Sequence, residues 1–193
     1  PEVKFYARVI PGAAVIGVFA IIILKNNLQI FERIGGDFRS NRIYEWLSGG
    51  SYQILQGLYA IGSGGFFGVG LGNSKQKYLY VSEPQNDFIF AIVCEELGFV
   101  GAIAIIVLFA LLFIRGIKIA NRCEDKFASF IVLGIVAQVA IQTIFNIMVV
   151  TDTIPNTGIA LPFFSYGGTA LLMLLFEMGV VLSISRKSNQ KKV

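Results

Sequence analysis

The chain has 193 residues, of which 55% are hydrophobic and only 15% are charged. This balance is too apolar for an ordinary soluble domain, and apolar runs of eighteen or more residues indicate transmembrane helices. Histidine is absent, which removes the commonest zinc ligand and the commonest general base, so proton chemistry must use carboxylates, Lys, Tyr or Cys.

Hydropathy predicts four membrane-spanning helices. In chain order they are residues 9–24, 88–114, 127–150 and 163–184. The second is the clearest, because every position from Leu97 to Ile114 is apolar or glycine. We therefore expect an all-α integral membrane protein. Residues 1–193 would form one membrane domain, with a large outer loop at 25–87 and a tail at 185–193.

Basic residues predict the orientation of these spans. They precede the first, lie between the second and third, and follow the fourth, at Lys4, Arg8, Arg115, Lys118, Arg122, Lys126, Arg186, Lys187, Lys191 and Lys192. The loop at 151–162 has no Lys or Arg. The positive-inside rule places both ends of the chain in the cytoplasm and Asp87 outside. The basic residues of the long outer loop carry little weight, since long loops largely escape the rule.

The outer loop is rich in glycine and aromatic residues. Within it, residues 52–61 are expected to form an amphipathic helix in the membrane interface. Gly64, Gly68 and Gly72 are spaced by four, which permits close backbone packing. A flexible surface or re-entrant loop fits the same spacing equally well.

Asp87 stands at the start of the second span, after Pro84, which disfavours helix before it. At or near the N-cap, its carboxylate would bind free backbone N–H groups. Alternatively, Asp87 is a general base exposed at the outer surface.

Two carboxylates, Glu95 and Glu96, lie further inside the second span. Ionisable groups in a span need partners or water, so either they line an internal cavity or this helix end projects above the hydrocarbon. Glu95 follows Asp87 by eight residues, about 12 Å along a helix, too far for the carboxylate pair of a retaining glycosidase.

Polar side chains also occur in the last two spans. Gln138, Gln142 and Asn146 share one face of the third, either as hydrogen-bonding contacts to neighbouring helices or as part of a substrate path. Glu177 in the fourth span is expected to be buried against protein.

Turn signals are dense between the last two spans, at residues 154–169. Gly167 and Gly168 either open the fourth span with exposed amides that seat a phosphate, or simply form a tight turn. In the outer loop, Lys75 and Lys77 are either anion contacts or solvated charges.

Three segments carry a family resemblance: "GLGNSKQKYLY" at 70–80, "EPQNDFIFAIVCEELGFVG" at 83–101 and "IPNTGIALPFFSYGG" at 154–168. In order and spacing they resemble the FtsW/RodA/SpoVE (SEDS) family of bacterial cell-wall proteins. Such proteins have about ten transmembrane helices, so the resemblance implies that this chain is their C-terminal part, helices seven to ten. That expectation also accounts for a sequence that opens with Pro1.

The resemblance implies a peptidoglycan glycosyltransferase of the bacterial cytoplasmic membrane, active in cell division or sporulation. It would polymerise lipid II beside a class B penicillin-binding protein, in contact with membrane lipids and with no nucleic acid. The essential acid of the family falls on Asp87. The matching segments supply the candidate substrate-binding residues Lys75, Gln76, Lys77, Glu83, Pro155, Thr157, Gly158, Ser165, Gly167 and Gly168.

Lipid II chemistry is compatible with a single acid, because its sugar already carries a pyrophosphate leaving group. Cations would stabilise the departing charge, and a divalent cation, Mg or Mn, is the expected cofactor, although no residue pattern locates it. Two other functions fit the sequence. One is a lipid II flippase with Glu95, Glu96 and Glu177 along its path, and the other is a scaffold that activates the partner transpeptidase.

Overall fold

In the computed structural model, residues 38–49, 52–79 and 85–190 are described, and all of their regular structure is helical. The helices are α1 (Phe38–Leu47), α2 (Tyr52–Gly64), α3 (Gln76–Leu79), α4 (Ile89–Arg122), α5 (Lys126–Val150) and α6 (Gly168–Gln190). The predicted all-α fold is therefore confirmed. The predicted first span at 9–24 and the candidate residue Glu83 lie outside the described residues.

Contacts group the chain into two units, Pro1–Ser51 and Tyr52–Val193. In the first unit, the structure describes α1 and the turn that follows it. All other described helices belong to the second unit. The single membrane domain expected over residues 1–193 stays a prediction.

Three helices of the second unit, α4, α5 and α6, are long and apolar enough to cross a membrane. They correspond to the last three predicted spans. Helix α4 continues to Arg122, beyond the predicted end at residue 114. Hydropathy locates the end of an apolar run, whereas a helix can continue into basic residues that are themselves good helix formers. Helix α5, Lys126–Val150, lies within one residue of its prediction.

The fourth predicted span begins later than expected. Residues 162–167 form turns, with Phe163 in the left-handed region at φ 66°, and α6 starts only at Gly168. Apolarity alone does not distinguish an apolar turn from the first turn of a helix. At its other end α6 continues to Gln190, through most of the predicted tail.

Helix α2 confirms the predicted helix at 52–61 and extends it to Gly64. Its buried residues, Ile54, Gly57, Ala60 and Gly64, recur every three or four positions and face α4. At Gly57, a Cβ would lie 3.0 Å from the Phe88 ring. The small side chains allow close approach, so this face contacts α4. That α2 lies in the membrane interface stays a prediction.

One face of helix α5 is buried at the centre of the core. Its buried residues are Val132, Val136, Val139, Thr143, Asn146, Val149 and Val150. Against this face, Gly116 of α4 lies so close that a Cβ there would be 2.4 Å from Val136 Cγ2. Helix α4 begins, α5 ends and α6 begins at the same end of this helix group, which we call the Asp87 end.

Candidate functional site

Asp87 lies in the turn just before α4, beside the loop of residues 152–167, which we call the Ser165 loop. Ser165 Oγ donates to the Asn86 carbonyl at 2.6 Å and accepts from the Leu161 N–H at 2.7 Å. The Tyr166 N–H donates to the Gln85 carbonyl at 2.8 Å. These bonds hold the Ser165 loop against the turn that carries Asp87.

Asn146 of α5 holds the same turn through its side chain. Its Nδ2 donates to the carbonyls of Asp87 and Ile159, both at 2.8 Å, and the residue is fully buried. One side chain thus joins α5, the Asp87 turn and the Ser165 loop. The spacing with Gln138 and Gln142 indicated a hydrogen-bonding face, and for Asn146 this is confirmed. That its bonds position Asp87 is what sequence reasoning missed.

Helix α4 has its N-cap at Phe88, whose own side chain makes no capping hydrogen bond. Phe88 is fully buried, and Asp87 is the residue directly before it. Both interpretations of Asp87, a contact to free backbone N–H groups and a general base, stay predictions. Asp87 is half-buried, and its Oδ2 lies close to Gly158, where a Cβ would be 3.4 Å away.

Gly158 meets two demands at once. Its φ of 70° is in the left-handed region, where glycine has no steric cost. The missing side chain also leaves the space beside the Asp87 carboxylate open. The structure thus brings together three of the predicted site residues, Asp87, Gly158 and Ser165.

Other predicted residues lie in the same loop or at its end. Pro155 is half-buried and Thr157 is exposed. Gly168 is the first residue of α6, and a Cβ there would meet nothing within 4 Å. The turn lies just before Gly167, and Gly168 opens α6, as one of the two alternatives predicted. The role of the two glycines as a phosphate seat stays a prediction.

Lys75, Gln76 and Lys77 belong to a second loop, residues 65–77, which we call the lysine loop. It is held on α4 at Gly98, where φ is 67° and the helix is interrupted. In an unbroken α-helix, the N–H groups of residues 99 and 100 would bond to the carbonyls of residues 95 and 96. Here they donate instead to the carbonyls of Gly65 and Phe66, at 2.9 and 3.2 Å.

The two carbonyls of α4 that the interruption frees are bonded by the loop. Val69 N–H donates to the Glu95 carbonyl and Gly70 N–H to the Glu96 carbonyl, both at 3.0 Å. The lysine loop therefore exchanges backbone bonds with the helix. This exchange requires contact so close that a Cβ on Gly68 would lie 2.1 Å from the Glu96 carbonyl oxygen.

The close packing predicted from the spacing of three glycines is confirmed for two of them. Gly64 and Gly68 make the close backbone packing that the spacing permits, against Cys94 and Glu96 of α4, whereas Gly72 has open space around it. The alternative of a flexible surface loop is wrong for this part of the chain, since its backbone is bonded to α4.

A cavity of about 390 Å³ lies between α5, α6 and the Ser165 loop. Gln138, Gln142 and Glu177 line it together with residues 158–163, 165 and 166. Gln138 Nε2 donates to Glu177 Oε1 at 3.4 Å, and Glu177 is only partly buried, not fully enclosed by protein as expected. The in-span polar groups of α5 and α6 thus share one cavity, and the loop beside Asp87 forms part of its wall.

A metal ion bound by protein alone needs several side-chain ligands close together. Among residues 38–49, 52–79 and 85–190, no group of three or more Cys, Asp or Glu side chains is placed to hold a metal ion. The part of the site that the structure describes therefore does not fit a divalent cation bound by protein ligands alone.

Residues 3–190 match the family model FtsW/RodA/SpoVE, described as "Cell cycle protein". The chain belongs to this family. It is 50% identical to stage V sporulation protein E of Bacillus subtilis over 161 residues, which is 80% of this chain and 44% of that protein. It is 46% identical to the probable peptidoglycan glycosyltransferase FtsW of Trichlorobacter lovleyi, over 77% of this chain and 40% of the relative.

Solved structures of the family share the fold. One, from a peptidoglycan synthase complex described as coordinating polymerization and crosslinking, has a TM-score of 0.65 at 24% identity and covers 96% of this chain and 52% of its own. A variant of the rod shape-determining protein RodA of Thermus thermophilus has a TM-score of 0.53 at 27% identity, covering 87% and 49%. The chain thus spans about half the length of these relatives, and it is a membrane protein of the same helical fold.

Proposed function

We propose that the full-length protein is a peptidoglycan glycosyltransferase that polymerises lipid II, with Asp87 as the general base. The observation that carries this proposal is the setting of Asp87. Its carboxylate lies beside the open space at Gly158, while Asn146 holds its backbone. A base must be held in place and still be reachable by its substrate, and this arrangement meets both needs.

The reaction balances with one acid. A sugar hydroxyl of one substrate attacks the anomeric carbon of the other, and its proton passes to the Asp87 carboxylate. The new bond is carbon to oxygen. The bond that breaks joins the anomeric carbon to the lipid pyrophosphate, which leaves with the electron pair. Because pyrophosphate is a good leaving group once its charge is stabilised, no second carboxylate is needed to protonate it.

The charge of the departing pyrophosphate would be stabilised by Lys75 and Lys77, whose side chains are exposed on the lysine loop. Gln76 beside them, and the loop residues Pro155, Thr157, Gly158, Ser165, Gly167 and Gly168, are proposed substrate contacts. The described side chains do not form a resident metal site, so we assign no step to a divalent cation.

We place the reaction at the outer face of the bacterial cytoplasmic membrane, where the distribution of Lys and Arg puts the Asp87 end. The proposed partner is a class B penicillin-binding protein, which would crosslink the glycan chains. Support for this partner comes from the structural neighbour solved as a peptidoglycan synthase complex. Cell division and sporulation are the settings that the names of the relatives indicate.

The deciding experiment incubates purified full-length protein with labelled lipid II and separates the glycan products by size. We expect Asp87→Asn to reduce chain formation by at least about a hundredfold, the contribution typical of a general base. Asp125→Asn is the matched control. Asp125 caps α5 at the opposite end by accepting from the Phe127 N–H, and Asn caps as well as Asp. Full polymerisation by Asp87→Asn would refute the assignment.

A second function, transport of lipid II across the membrane, is favoured by the cavity that Gln138, Gln142 and Glu177 line. Polar groups inside a span often mark a transport path. A transporter would move labelled lipid II across vesicles without making polymer, and it would respond to Glu177→Gln and not to Asp87→Asn. A polymerase would show the reverse pattern.

The orientation has a separate test. Thr157 is exposed in the Ser165 loop, whereas the free native Cys123 follows α4 at the opposite end. A membrane-impermeant maleimide should label Thr157→Cys in intact spheroplasts and should reach Cys123 only after permeabilisation. Labelling of Cys123 alone in intact spheroplasts would place Asp87 in the cytosol and end the proposal.

A further inference from the structure

Glu95 is the most completely buried carboxyl group among the described residues, with 2% of its surface exposed. It lies on α4 three residues before the interruption at Gly98. Burial of a carboxyl group inside an apolar helix is costly unless both of its oxygens are hydrogen-bonded. The bonds that Glu95 makes therefore indicate why a carboxyl group stands there.

Both oxygens of Glu95 accept hydrogen bonds from the lysine loop. The Ser74 hydroxyl donates to Oε2, and the Lys75 backbone N–H donates to Oε1 at 3.1 Å. Ser74 is itself buried, and its Oγ accepts from the Lys77 N–H at 3.1 Å. The backbones of both lysines are thus fixed by one carboxyl group, Lys75 directly and Lys77 through Ser74.

The lysine side chains differ from Glu95 and Ser74 in their exposure to solvent. Lys75 and Lys77 are exposed, while the two groups that hold their backbones are 1% and 2% exposed. If the two buried groups contributed only to packing, their bonds to the backbones of two exposed lysines would have no explanation. A buried carboxyl group that fixes two exposed cations is instead suited to holding those cations at a set place.

That place is defined relative to Asp87, because Asp87 lies just before the segment of α4 that carries Glu95. Asp87 is in the turn two residues before the first residue of the helix, and Glu95 lies eight residues after Asp87, about 12 Å along a helix axis. The interruption at Gly98 comes only after Glu95, so it does not lie between the two residues. Their separation does not depend on the rest of α4.

We propose that Glu95 is a positioning residue that holds Lys75 and Lys77 at a fixed distance from Asp87, so that they bind the pyrophosphate of the substrate. The identity of the ligand that the lysines bind rests on the proposed function. The anchoring of the loop by Glu95 rests on the hydrogen bonds alone. Glu95 does not touch substrate. Its loss weakens the contacts to the pyrophosphate, both in the bound substrate and as it leaves, and does not change Asp87 itself.

The test replaces Glu95 with Gln in the full-length protein, purified in nanodiscs. An amide has one acceptor oxygen, so it cannot accept from both Ser74 and the Lys75 N–H; one of the two bonds is lost or must reverse its direction at Ser74, which weakens the anchor. Hydrogen exchange of a peptide covering residues 72–79 should become faster. The KM for labelled lipid II should rise about tenfold, as expected for loss of a charge-assisted contact to phosphate, and kcat should fall as well, because the same lysines stabilise the charge of the departing pyrophosphate.

Glu96→Gln is the matched control. Glu96 is adjacent and partly exposed, and its buried Oε1 accepts no hydrogen bond from the described residues. Its backbone carbonyl keeps the bond from Gly70 whatever the side chain. This variant should leave both the exchange of the 72–79 peptide and the KM unchanged.

Two further variants complete the design. A Lys75→Gln/Lys77→Gln variant should reproduce the KM defect, and adding Glu95→Gln to it should cause no further loss, because both changes remove the same contact. Should Glu95→Gln fail to fold, Ser74→Ala removes the bond to Oε2 and the acceptor for Lys77 without changing α4. It should act in the same direction.

Several outcomes would overturn the inference. Unchanged exchange in Glu95→Gln would show that the carboxyl group does not hold the loop. A lower kcat with unchanged KM, or an additive effect with the lysine changes, would show that Glu95 acts elsewhere. Failure of the unmodified protein to polymerise lipid II would remove the proposed function instead, and the exchange result alone would then decide whether Glu95 anchors the loop.

Discussion

The two loops at the Asp87 end are held by different kinds of bond. The Ser165 loop is fixed by two polar side chains, Ser165 and Asn146, whose bonds reach backbone carbonyls. The lysine loop is fixed mainly by backbone bonds that it exchanges with α4 around Gly98. Side-chain bonds can be lost one at a time, whereas the exchanged backbone bonds depend on glycines that let two backbones meet. The two loops should therefore fail differently under mutation.

The largest expected effect is in the lysine loop, from Gly68→Ala. Its φ is 77°, and the added Cβ would lie 2.1 Å from the Glu96 carbonyl oxygen. Because that atom belongs to helix backbone and cannot move aside, we expect destabilisation of about 4 kcal/mol or more. The thermal unfolding midpoint in detergent, together with the yield of folded protein, measures it.

Gly72→Ala is the control for that change. Gly72 has a similar φ of 81° but no neighbour within 4 Å of an added Cβ. It should cost only the left-handed conformation, about 1–2 kcal/mol. Equal effects of the two substitutions would mean that the contact with α4 does not matter and that the two loops are held alike.

Next in size is Asn146→Ala, which breaks the bonds that hold the Ser165 loop and the Asp87 turn to α5. It leaves the buried carbonyls of Asp87 and Ile159 without their donor, at a cost of about 2–4 kcal/mol. Lipid II polymerisation should fall further than stability explains, because the base is displaced. Stability and chain formation are measured on the same preparation.

Gln142→Ala is the stability control for Asn146, since Gln142 lies one helical turn earlier and lines the cavity. It should change the unfolding midpoint by less than about 1 kcal/mol equivalent. A polymerisation loss in Asn146→Ala that merely matched its loss of folded protein would argue against a role in positioning Asp87.

The smallest effect is expected from Ser165→Ala, which removes one donor and one acceptor. The Asn86 carbonyl and the Leu161 N–H both lose a partner, so we expect destabilisation of about 1–2 kcal/mol. Ser188→Ala, which loses a single exposed bond to the Arg122 carbonyl, should cost no more than about 0.5 kcal/mol. A larger loss from Ser188 would contradict the hydrogen-bond account of the Ser165 loop.

Much of the fold could be predicted because its signals are local. An uninterrupted apolar run identified α4, a mostly apolar run identified α5, and the four-residue spacing of Gly64 and Gly68 indicated close packing. The family motifs were recognisable because the segments around Asp87 and Ser165 occur in a fixed order. These signals depend on residues that are neighbours in the chain.

The missed features depend on partners that are distant in the chain. An isolated glycine in an apolar helix, such as Gly98, is normally tolerated without a break. It breaks here because the carbonyls of Gly65 and Phe66, more than thirty residues earlier, accept bonds that α4 would otherwise make internally. Likewise, the bonds from Asn146 to the carbonyls of Asp87 and Ile159 join segments that are distant in the chain, so no local pattern indicates them.

The interruption at Gly98 also bears on how such a chain can live in lipid. Non-helical backbone is normally excluded from hydrocarbon, because its unpaired amides and carbonyls have no water to bond with. Here four of the groups at the break, the N–H groups of Phe99 and Val100 and the carbonyls of Glu95 and Glu96, are bonded by the lysine loop. A membrane-spanning helix can thus be interrupted near one end while these polar backbone groups stay paired, and its short first segment can carry reactive groups at a different angle.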